Sequence, residues 1–197
     1  MTDASRAGLA LAGSDGPAAP ARPPAPPEGN VDRESLLRAT GDLLRALGAD
    51  LTADDLRDTP RRVADAYVEL LTPGPFHATT FPNDDGYDEL VVARAIPFHS
   101  LCRHHLLPFH GVAHVGYLPD RRILGLGKLA RIVERFARDL QIQERLTTQV
   151  ADWLQEELAP KGVGVVDRGR APLHVAARRP EARDEHGHLG AARRGPR

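Results

Sequence analysis

From Asp32 onward the hydrophobic positions follow first one period and then another. Leu36, Leu37, Leu43, Leu44 and Leu47 recur at helical spacing, which predicts a helix that opens at Asn30 or Asp32, both able to cap its first amides, and stops at Gly48. A short acidic turn beginning at Thr52 leads to Asp58-Thr-Pro-Arg-Arg-Val. Thr59 is expected as the N-cap of a second helix, with Pro60 at the first helical position, where its missing amide hydrogen costs nothing. Val63, Tyr67, Leu70 and Leu71 form its apolar stripe, and Pro73-Gly-Pro ends it. Arg61 and Arg62 sit in its first turn, the wrong end for the helix dipole, either as solvated charges or as contacts for an anionic ligand.

Beyond a loop through Asp84, Asp85 and Gly86 the period drops to two. The run from Leu90 to Phe98 is expected as a strand, and Gly111 to Pro119 as a second, antiparallel one, with Val112, His114 and Gly116 on one face and Ala113, Val115 and Tyr117 on the other. A turn from Arg121 to Gly127 precedes two more helices. Lys128 to Leu140 aligns Leu129, Ile132, Val133 and Phe136; Gln143 to Leu158 aligns Leu146, Val150, Trp153, Leu154 and Leu158. Gly162 to Val166 is expected as a short third strand, and the residues from Asp167 carry no strand pattern.

Composition delimits this picture. A chain of 197 residues with 41% hydrophobic content supports one core. Residues 1–30, rich in Pro and Ala, are expected to be a disordered tail. Residues 31–166 form the folded domain, and 167–197 a tail that fits no fold. A net charge of -1 gives no expectation of nucleic-acid or membrane binding, and no apolar run approaches the roughly 18 residues that cross a bilayer. The apolar run near the N-terminus is too short for a secretory signal, and a single cysteine forms no intramolecular disulfide, so a cytoplasmic location is expected. Arg, Ala, Gly and Pro abound while Lys128 and Lys161 are the only lysines, which implies a GC-rich gene.

Candidate chemistry concentrates between Ser100 and Tyr117, which holds Cys102 and four of the nine histidines. Cys102 and His105 form a Cys-x-x-His pair, a spacing that lets thiolate and imidazole converge on one metal ion from a tight turn. The pair alone reads more readily as a small buried thiol beside strand-end histidines, because a catalytic zinc needs three protein ligands. The polar cluster Gln141-Ile-Gln-Glu-Arg-Leu, taken alone, reads as helix-surface decoration.

Several motifs together carry more. Phe98-His-Ser-Leu-Cys-Arg-His-His-Leu-Leu-Pro-Phe-His-Gly-Val-Ala-His-Val-Gly-Tyr-Leu-Pro, then Gly125-Leu-Gly-Lys-Leu-Ala-Arg-Ile-Val, then Gln141-Ile-Gln-Glu-Arg-Leu-Thr, with Asp58-Thr-Pro-Arg-Arg-Val upstream, resemble the GTP cyclohydrolase I family over roughly residues 32–166. The resemblance implies an α+β tunnelling fold: an antiparallel strand pair, two helices and a second strand pair, here incomplete, behind N-terminal helices. It implies subunits joined into a homo-oligomer, a decamer in bacterial enzymes, and conversion of GTP and water to formate and 7,8-dihydroneopterin triphosphate, the first step toward folate and other pterins. It also implies Zn2+ held by Cys102 and His105, with His104 as proton donor to the purine. Glu144, with Gln143 beside it, would accept the guanine N–H groups, and Lys128, Arg131 and Arg62 would face the triphosphate. Metal and cation sites are expected to come from different subunits.

Two residues depart from the family pattern inside its motifs. Arg103 stands where Glu is usual and Gly127 where Ser is usual, with lower activity or an altered substrate preference as the expected consequence. After Val166 the pattern vanishes: a strand with Glu-His-x-Cys-Met, whose cysteine is the third zinc ligand, is expected, and Asp167-Arg-Gly-Arg-Ala-Pro-Leu-His-Val-Ala stands instead. Reading each codon from its second base restores it. Leu173 into His174 permits cysteine, His174 into Val175 permits only methionine or threonine, and Glu181 into Ala182 only lysine or arginine. The shifted reading yields Ile-Glu-Ala-Glu-His-Leu-Cys-Met-Ser-Leu-Arg-Gly-Val-Arg-Lys-Pro-Gly-Thr-Ser-Thr. A one-nucleotide insertion near the codons of Val166 and Asp167 is therefore expected. As written, only His174 falls close to the missing cysteine, and the Arg- and Pro-rich sequence around it gives no reason for a strand.

Overall fold

The computed structural model describes residues 30–170 together with the backbone of two short strands, His188–Leu189 and Arg193–Arg194. The expected tail at 1–30, apart from Asn30, lies outside the described residues, as does His174.

Two helices open the domain. In α1 (Arg33–Ala46) Asp32 is the N-cap, its carboxylate accepting from the Ser35 amide at 3.0 Å and the Ser35 hydroxyl at 2.6 Å. These bonds, the hydroxyl's first, hold the Asp32 carboxyl below its usual range. Gly48, at φ +82°, donates its N–H to the Arg45 carbonyl and ends the helix as expected. The helix α2 (Thr59–Leu71) starts one residue before the sequence expectation: Asp58, not Thr59, takes the cap position, because its carbonyl already accepts from the Arg62 amide at 3.0 Å.

The main sheet is built on β2 (Val91–Cys102) and β3 (Pro108–Leu118), which pair antiparallel. A bulge between Ala93 and Ile96, with Ala95 at φ +57°, resets the alternation of β2, so that Ile96, Phe98 and Ser100 turn inward. On β3 the expected face of Ala113, Val115 and Tyr117 is the buried one. β5 (Leu140–Gln141) runs parallel beside the end of β2, and β6 (Gly162–Arg170) antiparallel beside β3. A separate two-stranded ribbon, β1 (Thr80–Pro82) with β4 (Arg122–Leu124), occupies stretches the sequence pattern left as loop and turn.

The helices α3 (Leu126–Ala137) and α4 (Gln143–Leu158) cover one face of this sheet. All nine apolar residues expected to face the core from them are buried: Leu129, Ile132, Val133, Phe136, Leu146, Val150, Trp153, Leu154 and Leu158. They meet Phe98, Phe109, Val115 and Tyr117 of the sheet, so burial of one continuous apolar layer fixes helices to strands. The Tyr117 hydroxyl accepts from the Leu124 amide at 2.9 Å and ties the ribbon to the core.

Three expectations are corrected here. The third helix runs two residues earlier at its start and ends at Ala137, not Leu140. The Gln141 side chain donates to the Phe136 carbonyl at 2.7 Å, satisfying the helix end while Leu140 and Gln141 turn into a strand. Secondly, β6 continues past Val166 to Arg170, in register with β3 from Leu118↔Gly162 to His110↔Arg170. Backbone pairing asks little of side-chain type, and at Gly111, where a Cβ would lie 2.3 Å from the Arg168 carbonyl oxygen, the strands approach closely. Thirdly, the second strand pair, expected to be incomplete, is partly filled by two short strands: β7 (His188–Leu189) pairs with Val166 and Asp167, and β8 (Arg193–Arg194) with Gly162 and Val163. The extension of β6 also places Asp167, 1% exposed, on the same buried face as Val163 and Val165.

Candidate active site

Cys102 is the last residue of β2, and the chain reverses over Arg103–Leu107 before β3 begins at Pro108. Two backbone bonds close the reversal: Leu106 N–H donates to the Cys102 carbonyl, and Cys102 N–H to the Leu107 carbonyl, both at 2.8 Å. Leu106 takes a left-handed conformation, φ +55°, uncommon for a residue with a side chain. A third bond, from Arg103 N–H to the Gln141 carbonyl at 3.0 Å, ties the turn to β5.

This turn brings Cys102 Sγ to 3.3 Å from His105 Nδ1. Two ligands sharing one tetrahedral zinc, with Zn–S near 2.3 Å and Zn–N near 2.0–2.1 Å, stand about 3.5 Å apart. The pair therefore fits zinc in donor chemistry and in approach. Among the described residues no third His, Cys, Asp or Glu joins them. His104 projects beside them, its ring 6.0 Å from that of His105 and edge-on to it, exposed to solvent.

The start of α4 lies close by through the chain itself, since Gln141 pairs with Cys102 and Gln143 opens the helix. Glu144, in the first helical turn, is exposed, and its negative charge there complements the helix dipole. The Gln143 side-chain nitrogen is buried without a hydrogen-bond partner among the described residues, and a Cβ at Gly169 would lie 2.3 Å from it. Cys102, His104, His105, Gln143 and Glu144 are thus drawn to one end of the sheet.

The expected cations are placed elsewhere. Lys128 and Arg131 lie in the first half of α3, about 14 Å and 9 Å along its axis from Ala137. It is the far end of α3 that approaches the turn: the Ser100 hydroxyl donates to the Asp139 carbonyl at 3.3 Å. Lys128 rests its ammonium 5.9 Å from the centroid of the Phe76 ring. Arg62, exposed on α2, has Asp58 as its ion-pair partner at 3.8 Å. No hydrogen bond or ion pair among the described residues joins any of the three to the Cys102 turn. The departures Arg103 and Gly127 are both exposed.

Two residues stand closer to the turn than the sequence suggested. Gln141, fully buried, donates to the Phe136 carbonyl and to the Gln149 side chain, both at 2.7 Å, and so fixes the strand on which the turn leans. The Tyr67 hydroxyl donates to the Leu106 carbonyl at 2.9 Å. An aromatic residue at helical spacing signals only core, so nothing in the pattern separated Tyr67 from its neighbours.

The same arrangement of motifs recurs in known proteins. The sequence model of GTP cyclohydrolase I matches residues 36–176. Among curated relatives, GTP cyclohydrolase 1 of a Sulfurihydrogenibium species is 46% identical over 136 residues, covering 69% of this chain and 73% of the relative. The Aquifex aeolicus protein of that name is also 46% identical, over 69% of this chain and 74% of its own. That of Streptomyces avermitilis is 50% identical over 145 residues, 70% of this chain and 71% of its own. A match that spans the N-terminal helices, the Cys102 turn and the α3–α4 junction in order places the chain in the GTP cyclohydrolase I family.

Proposed function

We propose that this chain is built to convert GTP and water into formate and 7,8-dihydroneopterin triphosphate, with Zn2+ held by Cys102 and His105. The observation that carries the reading is the 3.3 Å approach of Cys102 Sγ to His105 Nδ1 on a turn hydrogen-bonded to the strand that leads into Glu144. When bound, zinc supplies a Lewis acid that makes hydroxide available near neutral pH. His104, exposed beside the pair, donates a proton to the purine nitrogen next to the carbon under attack. Glu144 accepts the guanine N–H groups and orients the base, with Gln143 offering its amide alongside. Lys128, Arg131 and Arg62 neutralise the triphosphate.

Within one subunit Lys128 lies near the start of α3 and the Cys102 turn near its end, which supports a site shared between copies of the chain, and with it a homo-oligomer. A cytoplasmic location fits the lone cysteine, and no helix among the described residues is long and apolar enough to cross a membrane. A product of this kind feeds folate and other pterin synthesis.

A second reading is favoured by the lack of a third donor among the described residues: the chain as written is a non-catalytic assembly partner of the same fold. The shifted reading frame after Val166 connects the two readings, since it permits a cysteine one position before His174. Asp167 stands at a core position of β6, where the shifted reading permits only isoleucine or threonine. Resequencing the gene decides the point; well-supported codons matching the chain as written would remove the frameshift. Incubating the purified chain, and a frame-restored one, with GTP and zinc and measuring formate and pterin fluorescence then separates the readings. Activity only after restoration is expected. Activity in both would show the third cysteine to be dispensable, and activity in neither would implicate Arg103, Gly127 or a different substrate.

A further inference from the structure

The turn that carries Cys102 and His105 is closed by two backbone bonds of its own, and its side chains give it little further support. Arg103, His104, His105, Leu106 and Leu107 are all exposed, and Leu106 sits in a left-handed conformation that favours glycine. Such a conformation persists in a residue with a side chain only where surrounding contacts over-determine it. One such contact is the Gln141 carbonyl, which holds Arg103 N–H from the sheet side. The other comes from the far side and from another part of the chain. Tyr67 reaches from α2 and donates its hydroxyl to the carbonyl of Leu106 itself, across 39 residues of sequence.

We infer that Tyr67 is a positioning residue for the metal turn: its hydrogen bond to the Leu106 carbonyl fixes the Leu106–Leu107 peptide and thereby the course of the turn that sets the angle at which the His105 ring meets Cys102. The geometry has two parts that support this. Rotation of the 106–107 peptide out of the left-handed basin would carry the Leu107 carbonyl away from Cys102 N–H, and that bond is one of the two closing the reversal. The Tyr67 bond opposes that rotation at the residue where the strain sits. Moreover α2 is itself anchored rather than loose. Arg138, at the end of α3, donates to the Glu69 carbonyl, and Arg135 donates to the Gly74 carbonyl at 2.9 Å, so the helix presents Tyr67 from a fixed support. The role makes α2 a support of the metal turn without Tyr67 itself serving as a ligand.

The inference toward the metal rests on the zinc reading above, and the test keeps the two apart. Hydrogen exchange on the full chain without metal reports the turn directly. Tyr67→Phe keeps the ring and its packing but loses the hydroxyl. It is expected to speed exchange of the Cys102 and Leu106 amides about tenfold, leaving the β3 amides Ala113 and Val115 unchanged. Val63→Ala, on the same helix but without a bond to the turn, is expected to lower the melting temperature and leave those two amides as they were. Zinc alone is then titrated against a chromophoric chelator. Tyr67→Phe is expected to weaken zinc affinity by about tenfold, the range in which outer partners of metal ligands act. Cys102→Ser serves as the reference for loss of the site. Unchanged exchange at Cys102 and Leu106 in Tyr67→Phe overturns the positioning role. Faster exchange with unchanged, Cys102-dependent zinc affinity overturns its bearing on the metal. Zinc affinity that survives Cys102→Ser unchanged overturns the zinc reading, while exchange still decides whether Tyr67 holds the turn.

Discussion

Cys102 and Gln141 face each other as the final pair of the parallel β2–β5 ladder, and the Gln141 backbone carbonyl takes the amide of Arg103, the next residue. The same Gln141 side chain closes the end of α3 and bonds Gln149 of α4. One buried residue therefore joins both core helices to the turn that bears the candidate ligands.

Replacing that side chain tests the junction. Gln141→Leu keeps the volume but leaves the Phe136 carbonyl and the Gln149 side-chain oxygen without their donor, at a cost of about 1–3 kcal/mol. Urea unfolding monitored by circular dichroism is expected to show the lower midpoint with an unchanged slope. An unaltered midpoint would mean that the two acceptors find other donors.

Asp167 offers a change in the opposite direction. It occupies the core-facing register of β6 beside Val165, where a carboxylate must be desolvated and an apolar side chain need not be. Asp167→Ile exchanges the carboxylate's desolvation and its polar contacts for apolar burial, and a frame change at this codon predicts a higher melting temperature for the substituted chain. Destabilisation on thermal unfolding would show that the carboxylate is well accommodated, and would weaken the case for a frame change at this codon.

At alkaline pH the decisive group is Tyr117. Burial pushes its phenol above the ordinary value of 10.0, against the opposing pull of its bond with the Leu124 amide. A raised value in the folded state means that the stabilisation is complete below the unfolded value and fades as pH rises through the folded one. Tyr117→Phe is expected to remove this alkaline loss. It also costs about 1–3 kcal/mol at neutral pH by leaving the Leu124 amide without its acceptor. Unfolding curves from pH 8 to 11 of the two chains would show both effects.

The cap of α1 responds to acid. Asp32 titrates below its ordinary 3.8 because its carboxylate accepts from the Ser35 hydroxyl and amide. Its contribution is therefore present above the unfolded value and is lost as pH falls through the lowered one. The protection of the Ser35 amide against hydrogen exchange, taken relative to its intrinsic rate at each pH, is expected to fall over that acid range, and Asp32→Ala to show the low protection already at neutral pH. Equal protection in both would assign the start of α1 to packing against α2 instead.

Much of this architecture was legible before the structure. The paired strands, the two core helices and their buried faces follow from periods of two and 3.6, since burial in those elements is set by side-chain spacing. Gly48 marked its helix end because its left-handed conformation disfavours any side chain. The misses share a cause as well. β1, β4 and β5 are two or three residues long, too short to display a period, and they exist only through partners remote in sequence. The extension of β6 through Asp167–Arg170 was hidden because the residues are wrong for a strand and the backbone pairing with β3 holds them regardless. At the site, Cys102 with His105 was visible as a spacing. Tyr67 was not, because its hydroxyl is indistinguishable in a sequence from the ring's place in an apolar stripe.

The separation of Lys128 from Cys102 along α3 also has a genetic consequence. If each site draws its thiolate from one copy and its ammonium from a neighbour, a chain defective in its last strand still lends sound cations to the copy beside it. Co-expressed with a Lys128→Ala chain whose reading frame is intact, it should restore activity that neither chain has alone, in the manner of two alleles complementing each other. Paired with a fully intact copy it would act as a diluent, lowering activity in proportion to its share of the assembly.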